Sequence, residues 1–401
     1  IGNEPDRGPN PDDVLCASRA QDDTYPEVYA QAYHDVHAFI KQRDPTALVA
    51  NAGLVQVTPG RLQYLDKAWE AYRQRYGQTM PVDVWNMHLY ILPEARPDGR
   101  PNGIANIALG TDPALAKRES GDNPSRCADP QVYCYAEHDN LDVFAEQVVA
   151  MRAWMKAHGQ QNKPLILSEY SILYPYRYPS ENSDTCFKDE FGQCFTPERI
   201  QTFMSRTFEY LENAADRELG YPMDEYRLVQ RWMWFSAYYG RVGKDSSLLT
   251  RTLDALSAIG ERYRDETARR ASTVNLRPGS IGGSVGYVVN PGDVATVQLY
   301  AQIFNNGSVA TPAPFAVTFY ADQGLTQAIG TAVVSESVPG CVSRTLTART
   351  IWANLPVGEH PFWVKVDSWN SLVETDETDN VGQGTVIVTK HANFLPLIRH
   401  W

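Results

Sequence analysis

The stretch Leu165-Ile166-Leu167-Ser168-Glu169-Tyr170 is an apolar run that ends in a glutamate, and it lies between two stretches of helical periodicity. On its N-terminal side, residues 141–158 set Leu141, Phe144, Val148, Met151 and Met155 on one face at three- and four-residue spacing, which predicts a helix. On its C-terminal side a helix is predicted over 197–215. The same unit repeats outward. Tyr29, Tyr33, Val36 and Ile40 mark a helix over 26–42, and a strand follows at 47–54. Leu62, Leu65, Trp69 and Tyr72 mark a helix over 61–76, and a strand follows at 82–91. Beyond 197–215 come a strand at 226–238 and a helix near 253–263. Strands apolar on both faces that alternate with helices predict an α/β fold, a parallel sheet covered by helices. A (β/α) barrel is favoured over an open doubly wound sheet, because the unusual polar residues gather at the C-terminal ends of the strands. Simple alternation puts Val82, Val84, Asn86, His88 and Tyr90 on one side, Leu165, Leu167 and Glu169 on one side, and Leu228, Gln230, Trp232 and Trp234 on one side.

A second glutamate ends the opening run Ile1-Gly2-Asn3-Glu4-Pro5. Two carboxylates delivered by strands to one face suit hydrolysis of a glycosidic bond, one as proton donor and the other as nucleophile or base. Composition agrees with this. The chain has 401 residues, 43% of them hydrophobic and 21% charged, enough for two or more domains with real cores. Its formal charge of −12 disfavours nucleic acid or an anionic membrane surface as partner. A neutral carbohydrate fits better. No apolar run approaches the ~18 residues that span a bilayer. Of the six cysteines, Cys127 with Cys134 and Cys186 with Cys194 form close pairs in polar loop sequence. Metal binding would prefer Cys-x-x-Cys spacing with histidine companions, so two local disulfides and an extracellular, secreted or cell-surface setting are expected. Cys16 and Cys341 are left without an assumed pairing.

Taken in order, Asn3-Glu4-Pro5, His88-Leu89-Tyr90, Leu167-Ser168-Glu169-Tyr170 and Trp232-Met233-Trp234 resemble the glycoside hydrolases of clan A. The resemblance covers 1–265. It implies a retaining (β/α)8 barrel of which strands four to eight are present and the first three β/α units are lacking. It also implies Glu4 as acid/base and Glu169 as nucleophile, with Asn3 on the substrate 2-hydroxyl. His88 and Tyr90 would hold the nucleophile, Trp234 would stack under the sugar with Trp232 a layer deeper, and Tyr170, with Tyr174, Tyr176 and Tyr178, would line further subsites. No metal is expected at this site. Because the chain opens on a site strand, another chain or an N-terminal segment of roughly 100–150 residues is expected to complete the barrel.

The last third reads differently. Residues 266–287 are rich in Arg, Ser and Gly and read as a linker or first strand. Alternating strands follow at 294–300, 315–320, 360–367 and 384–388, which predicts a small antiparallel sandwich over 288–390. Val366-Asp367 followed by Val373-Glu374-Thr375-Asp376-Glu377-Thr378-Asp379-Asn380 resembles the closing motif of the immunoglobulin-like CARDB domains. Glu374, Asp376, Glu377 and Asp379 offer oxygens to calcium, against the plainer reading of a solvated hairpin tip, and no other cofactor is implied. Residues 391–401 are an apolar tail expected to dock on the sandwich. The rival to a secreted glycosidase is a non-catalytic carbohydrate-binding or cell-surface adhesion protein that keeps a barrel remnant.

Overall fold

The computed structural model describes residues 1–8, 22–102, 105–173, 188–239, 246–270, 272–341 and 345–390. The chain divides into two compact units, Ile1–Arg270 and Ala271–Trp401.

The first unit runs α1 (Pro26–Arg43), α2 (Pro59–Tyr76), β1 (Trp85–Leu89), β2 (Arg118–Glu119), β3 (Val132–Tyr133), α3 (Leu141–Ala157), β4 (Leu165–Tyr170), α4 (Pro197–Asn213), β5 (Arg231–Trp234) and α5 (Ala258–Arg269). Its helices start and stop where local chemistry dictates. Asn140 caps α3 by accepting from the amides of Asp142 and Val143. Thr196 caps α4 ahead of Pro197, and Gly77 ends α2 with φ of 68°.

β1, β4 and β5 form a parallel sheet in that order. Segments 1–4 and 49–54, both expected as strands, extend the sheet beyond β1 with few ladder bonds. Ala50 bridges Val84 in parallel, the Leu54 carbonyl accepts from His88 N at 2.9 Å, and the Gly53 carbonyl accepts from Glu4 N at 3.1 Å. Two local causes interrupt the ladder. Gly2 and Glu4 adopt positive φ of 84° and 43°, and the Asn51 side chain takes over strand pairing with Asn86, accepting from its N at 2.7 Å and donating to its O at 2.9 Å. The segments curl in chain order into a half-barrel, and no closed barrel forms among the described residues.

Helices cover the outer face of this sheet. Trp85 of β1 packs on Trp69 of α2 and Trp154 of α3, Tyr170 of β4 on Phe144 and Phe203, and Trp232 of β5 on Phe208 of α4. Cys127 and Cys134 form a disulfide, as their spacing led us to expect. Cys194 is disulfide-bonded as well, while Cys16, Cys186, Tyr174, Tyr176 and Tyr178 lie outside the described residues. Cys341 is a free thiol.

The second unit is all β, with β6 (Leu276–Gly283), β7 (Gly286–Val288), β8 (Ala295–Asn305), β9 (Phe315–Tyr320), β10 (Ala328–Val334), β11 (Leu346–Leu355), β12 (Gly358–Val366) and β13 (Val381–Lys390). Sheets of order β10-β9-β12-β13-β7 and β11-β8-β6 share a core that includes Leu299, Ile303, Phe319, Phe362 and Val364. Two expectations need correction. The sandwich is not purely antiparallel, because β7 pairs β13 in parallel. Of the two readings of 266–287, linker or first strand, the structure favours the strand, since the stretch holds the end of α5, β6 and the start of β7. Its glycines serve packing: a Cβ on Gly279 would lie 1.8 Å from Phe304 Cε2, and one on Gly282 2.8 Å from Tyr300 Oη. The acidic tip is not simply solvated either. Glu374 accepts from Leu276 N and from Asn380 Nδ2, and burial, with the charges of Glu377 and Asp367 adding to it, pushes its carboxyl up to about 7. The tail 391–401 lies outside the described residues.

Trp85 is fully buried between two helices. Trp85→Ala should destabilise the first unit by about 3–5 kcal/mol. Denaturant melts followed by far-UV circular dichroism would read this as a lower midpoint; a change under about 1 kcal/mol would place the helix layer's anchor elsewhere.

Candidate active site

The inner face of the half-barrel gathers four of the residues singled out in the sequence, and strand register explains how. In β1 the outward residues are Trp85 and Met87, so Asn86, His88 and, just past the strand, Tyr90 point inward. Trp85 pairs with Leu165 and Met87 with Leu167, and on unbroken alternation Glu169 would face the helices with those two leucines. A bulge intervenes. After Met87 the register shifts, so that His88 stands opposite Glu169 and Leu89 opposite Tyr170. One extra residue in β4 turns Glu169 to the inner face and Tyr170 to the outer one, the re-aiming that a β-bulge performs.

The same register corrects three sugar-binding expectations. Tyr170 is fully buried, with its ring on Phe144 and Trp234 and its hydroxyl 3.3 Å from Thr207 Oγ1. Trp232 and Trp234 pair with Leu167 and Tyr170, so both share the outer face. Trp234 donates from Nε1 to Ser246 O at 2.8 Å. All three are helix-side packing. The inward aromatic at the end of β5 is Phe235, next along the chain from Trp234, with its ring centroid 6.5 Å from Tyr90 and 5.5 Å from Tyr239. Asn3 adjoins the site through Glu4, and its backbone N donates to Asp22 Oδ2 at 2.6 Å.

His88 is the centre of the arrangement. Its Nδ1 donates to Glu4 Oε1 at 3.0 Å and lies 3.7 Å from Glu169 Oε2, which also accepts from the Tyr90 hydroxyl at 3.2 Å. One oxygen of each glutamate and Nδ1 lie within 4.8 Å of one another. That spacing would also suit a metal ion. Gly53 lies against the imidazole, where a Cβ would come 2.3 Å from Cδ2. Glu4 and His88 are almost wholly buried, whereas the Glu169 side chain keeps 26% of its surface and faces the opening.

Charge follows from this geometry. Burial alone would lower the His88 pKa, but the hydrogen bond to Glu4 and the charges of Glu4, Glu169 and Asp6 outweigh it and hold it above 6.5. Burial pushes the Glu169 carboxyl above its ordinary value; His88 pulls it back, Glu4 pushes it up, and the Tyr90 hydrogen bond again lowers it.

Sequence reasoning missed a buried ion network beside the site. Arg61, fully buried, pairs with Asp6 at 2.7 Å and Glu94 at 2.9 Å, and Glu94 also accepts from Thr58 Oγ1 and Gln56 Nε2. The available signal was periodicity: Arg61 falls in line with Leu65, Ala68, Trp69 and Tyr72 on the buried stripe of α2. A charge on such a stripe demands a partner.

The chain is thus a mixed α/β protein whose first unit presents paired carboxylates on the inner face of a half-barrel. No family model matches it, and no curated protein does. Among solved structures it is similar to a calcium-binding mutant of Bacteroides uniformis β-glucuronidase 2, at 13% identity over 93% of this chain and 32% of that one, with a TM-score of 0.31. A β-glucosidase of Erythrobacter marinus matches at 10% identity over 29% of this chain and 16% of that one, with a TM-score of 0.21. The CARDB domain of a Pyrococcus furiosus protein, in complex with di-metal ions, matches at 19% identity over 30% of this chain and 99% of that one, with a TM-score of 0.23. Likenesses this distant leave the chemistry to the residues themselves.

With its folded pKa above the unfolded 6.5, His88 contributes stability that is fully present below pH 6.5 and is lost as pH rises through the folded value. His88→Gln should therefore lower the thermal midpoint most below pH 6.5 and progressively less above it. Scanning calorimetry of both proteins from pH 5 to about 9 checks this; a gap that widens with pH would contradict the assigned charge.

Proposed function

We propose that the first unit is a retaining β-glycosidase acting on an oligosaccharide or polysaccharide outside the cell. The observation that carries this reading is the placement of Glu4 and Glu169 on either side of His88 Nδ1, with oxygens within 4.8 Å, against the carboxyl separation of about 5–5.5 Å used in double displacement. Glu169, the more open of the two, attacks the anomeric carbon from its carboxylate oxygen, and Glu4, in the form that carries a proton on the oxygen His88 does not hold, gives that proton to the departing glycosidic oxygen. The C–O bond to the leaving group breaks as the glycosyl–Glu169 ester forms. In the second half Glu4 takes a proton from water, the water oxygen bonds the anomeric carbon, and the ester is released with net retention.

The neighbours have defined tasks in this scheme. Tyr90 steadies Oε2 of Glu169, and the partial positive charge of its hydroxyl hydrogen favours the ionised nucleophile. His88 fixes the Glu4 carboxyl in direction and tempers the repulsion between the two acids. Phe235, rather than Trp234, offers a ring to the sugar's apolar face. Asn3 stands beside Glu4 as partner for the 2-hydroxyl. The all-β second unit then serves as an attached surface or spacer module.

A panel of aryl β-glycosides and polysaccharides tests the activity. Glu169→Ala should abolish turnover, and added azide should restore a glycosyl azide of inverted configuration. Glu4→Ala with azide should give the retained product instead. Wild-type protein that turns over none of the panel, while binding polysaccharide, would support the adhesion alternative and overturn the enzyme reading.

A further inference from the structure

The Arg61 network lies next to the proposed acid/base in the chain and in space, and no task in the scheme above uses it. Glu4 has a positive φ of 43°, which a glutamate adopts only when its surroundings impose it. The turn that follows is bound on every side. The Glu4 carbonyl accepts from Arg7 N at 3.2 Å, and the Asp6 carbonyl accepts from Leu109 N at 2.9 Å and from Arg61 Nη1 at 3.1 Å. The Asp6 carboxylate accepts from Arg61 Nη1 at 2.7 Å and from Val55 N at 3.3 Å. Arg61 Nη2 reaches the carbonyls of Ala105 and Asn106. The guanidinium therefore joins the turn after Glu4 to α2, to Glu94 and to the carbonyls of Ala105 and Asn106, and the Asp6 carboxylate ties the same turn to Val55.

We infer that Arg61 and Asp6 form a positioning unit that holds Glu4 in the orientation needed to protonate the leaving group, an inference that rests on the glycosidase reading above. Three features support it. Both side chains have no exposed surface, so water cannot replace their bonds. The guanidinium is the one cation that Asp6 and Glu94 share, and burial pushes Asp6 up against its pull. The strained residue of this turn is Glu4 itself. A planar fork with several fixed donors can define a backbone turn in a way that a lysine cannot.

Leaving-group dependence separates positioning from mere support of the fold. A dinitrophenyl β-glycoside departs without proton donation, whereas an alkyl glycoside or a natural oligosaccharide requires it. Asp6→Asn keeps the shape and leaves Arg61 paired with Glu94, and Arg61→Lys keeps the charge while losing the fork. Both should lose roughly 10- to 100-fold in kcat/KM, which reports the step that expels the leaving group, on the poor leaving group, and stay within about threefold of wild type in kcat/KM on the dinitrophenyl substrate. Labelling with a 2-deoxy-2-fluoro glycoside counts competent sites, so that a misfolded fraction is corrected for. Equal losses in kcat/KM on both substrates in either folded variant, or no loss on either, would overturn the inference. Wild-type protein inactive on both substrates would instead overturn the glycosidase reading, and this inference with it.

Discussion

One extra residue in β4 sets what this half-barrel can do. Strand geometry gives side chains a period of two, so Leu165 and Leu167 fix one face for the helices and, left unbroken, would take Glu169 with them. A carboxylate turned into the Phe144, Phe203 and Trp234 layer would face strong desolvation. The bulge resolves this conflict by giving the outward position to Tyr170, whose ring fills that layer and whose hydroxyl finds Thr207. Packing and site are thus two results of one register shift. The tyrosine anchors the strand end from outside, and the glutamate is released inward beside His88.

Charge then organises what the bulge has assembled. Glu4, Asp6 and Glu169 all lie near a single imidazole, and although burial lowers its pKa, the hydrogen bond to Glu4 and the field of the three acids raise it above the ordinary value. The imidazole in turn stands between Glu4 and Glu169, while Arg61 pairs with Asp6 and Glu94. Two basic side chains thus stand among four acids. Gly53 leaves room for the ring, since any side chain there would displace His88.

Helices α1 to α4 were legible in the sequence because an apolar stripe every three or four residues survives local irregularity: α3 and α4 end within two residues of their predicted limits, whereas α5, expected near 253–263, spans Ala258–Arg269. The grouping of Glu4, His88, Tyr90 and Glu169 was legible as residue types at strand ends. Their facing was not, because a bulge leaves no mark on hydrophobic periodicity. Alternation assigned Glu169 to the leucines and gave the tryptophans to the sugar, whereas Trp232 and Trp234 pack outward and Phe235 turns in. Arg61 escaped notice because a charged residue reads as surface unless its place on a buried stripe is weighed. Glycines in β6 left that stretch open between linker and first strand because their purpose, admitting the rings of Phe304 and Tyr300, lies on another strand.

The central claim is that Glu169, turned inward by the bulge, is the group that bonds to the sugar. Incubation with a 2-deoxy-2-fluoro β-glycoside bearing an activated leaving group, followed by proteolysis and tandem mass spectrometry, tests it directly. The account predicts one glycosyl adduct per active chain, placed on Glu169, with activity lost in step with labelling. Labelling on Glu4 or another carboxylate, or turnover of ordinary substrates without any trapped adduct, would contradict it.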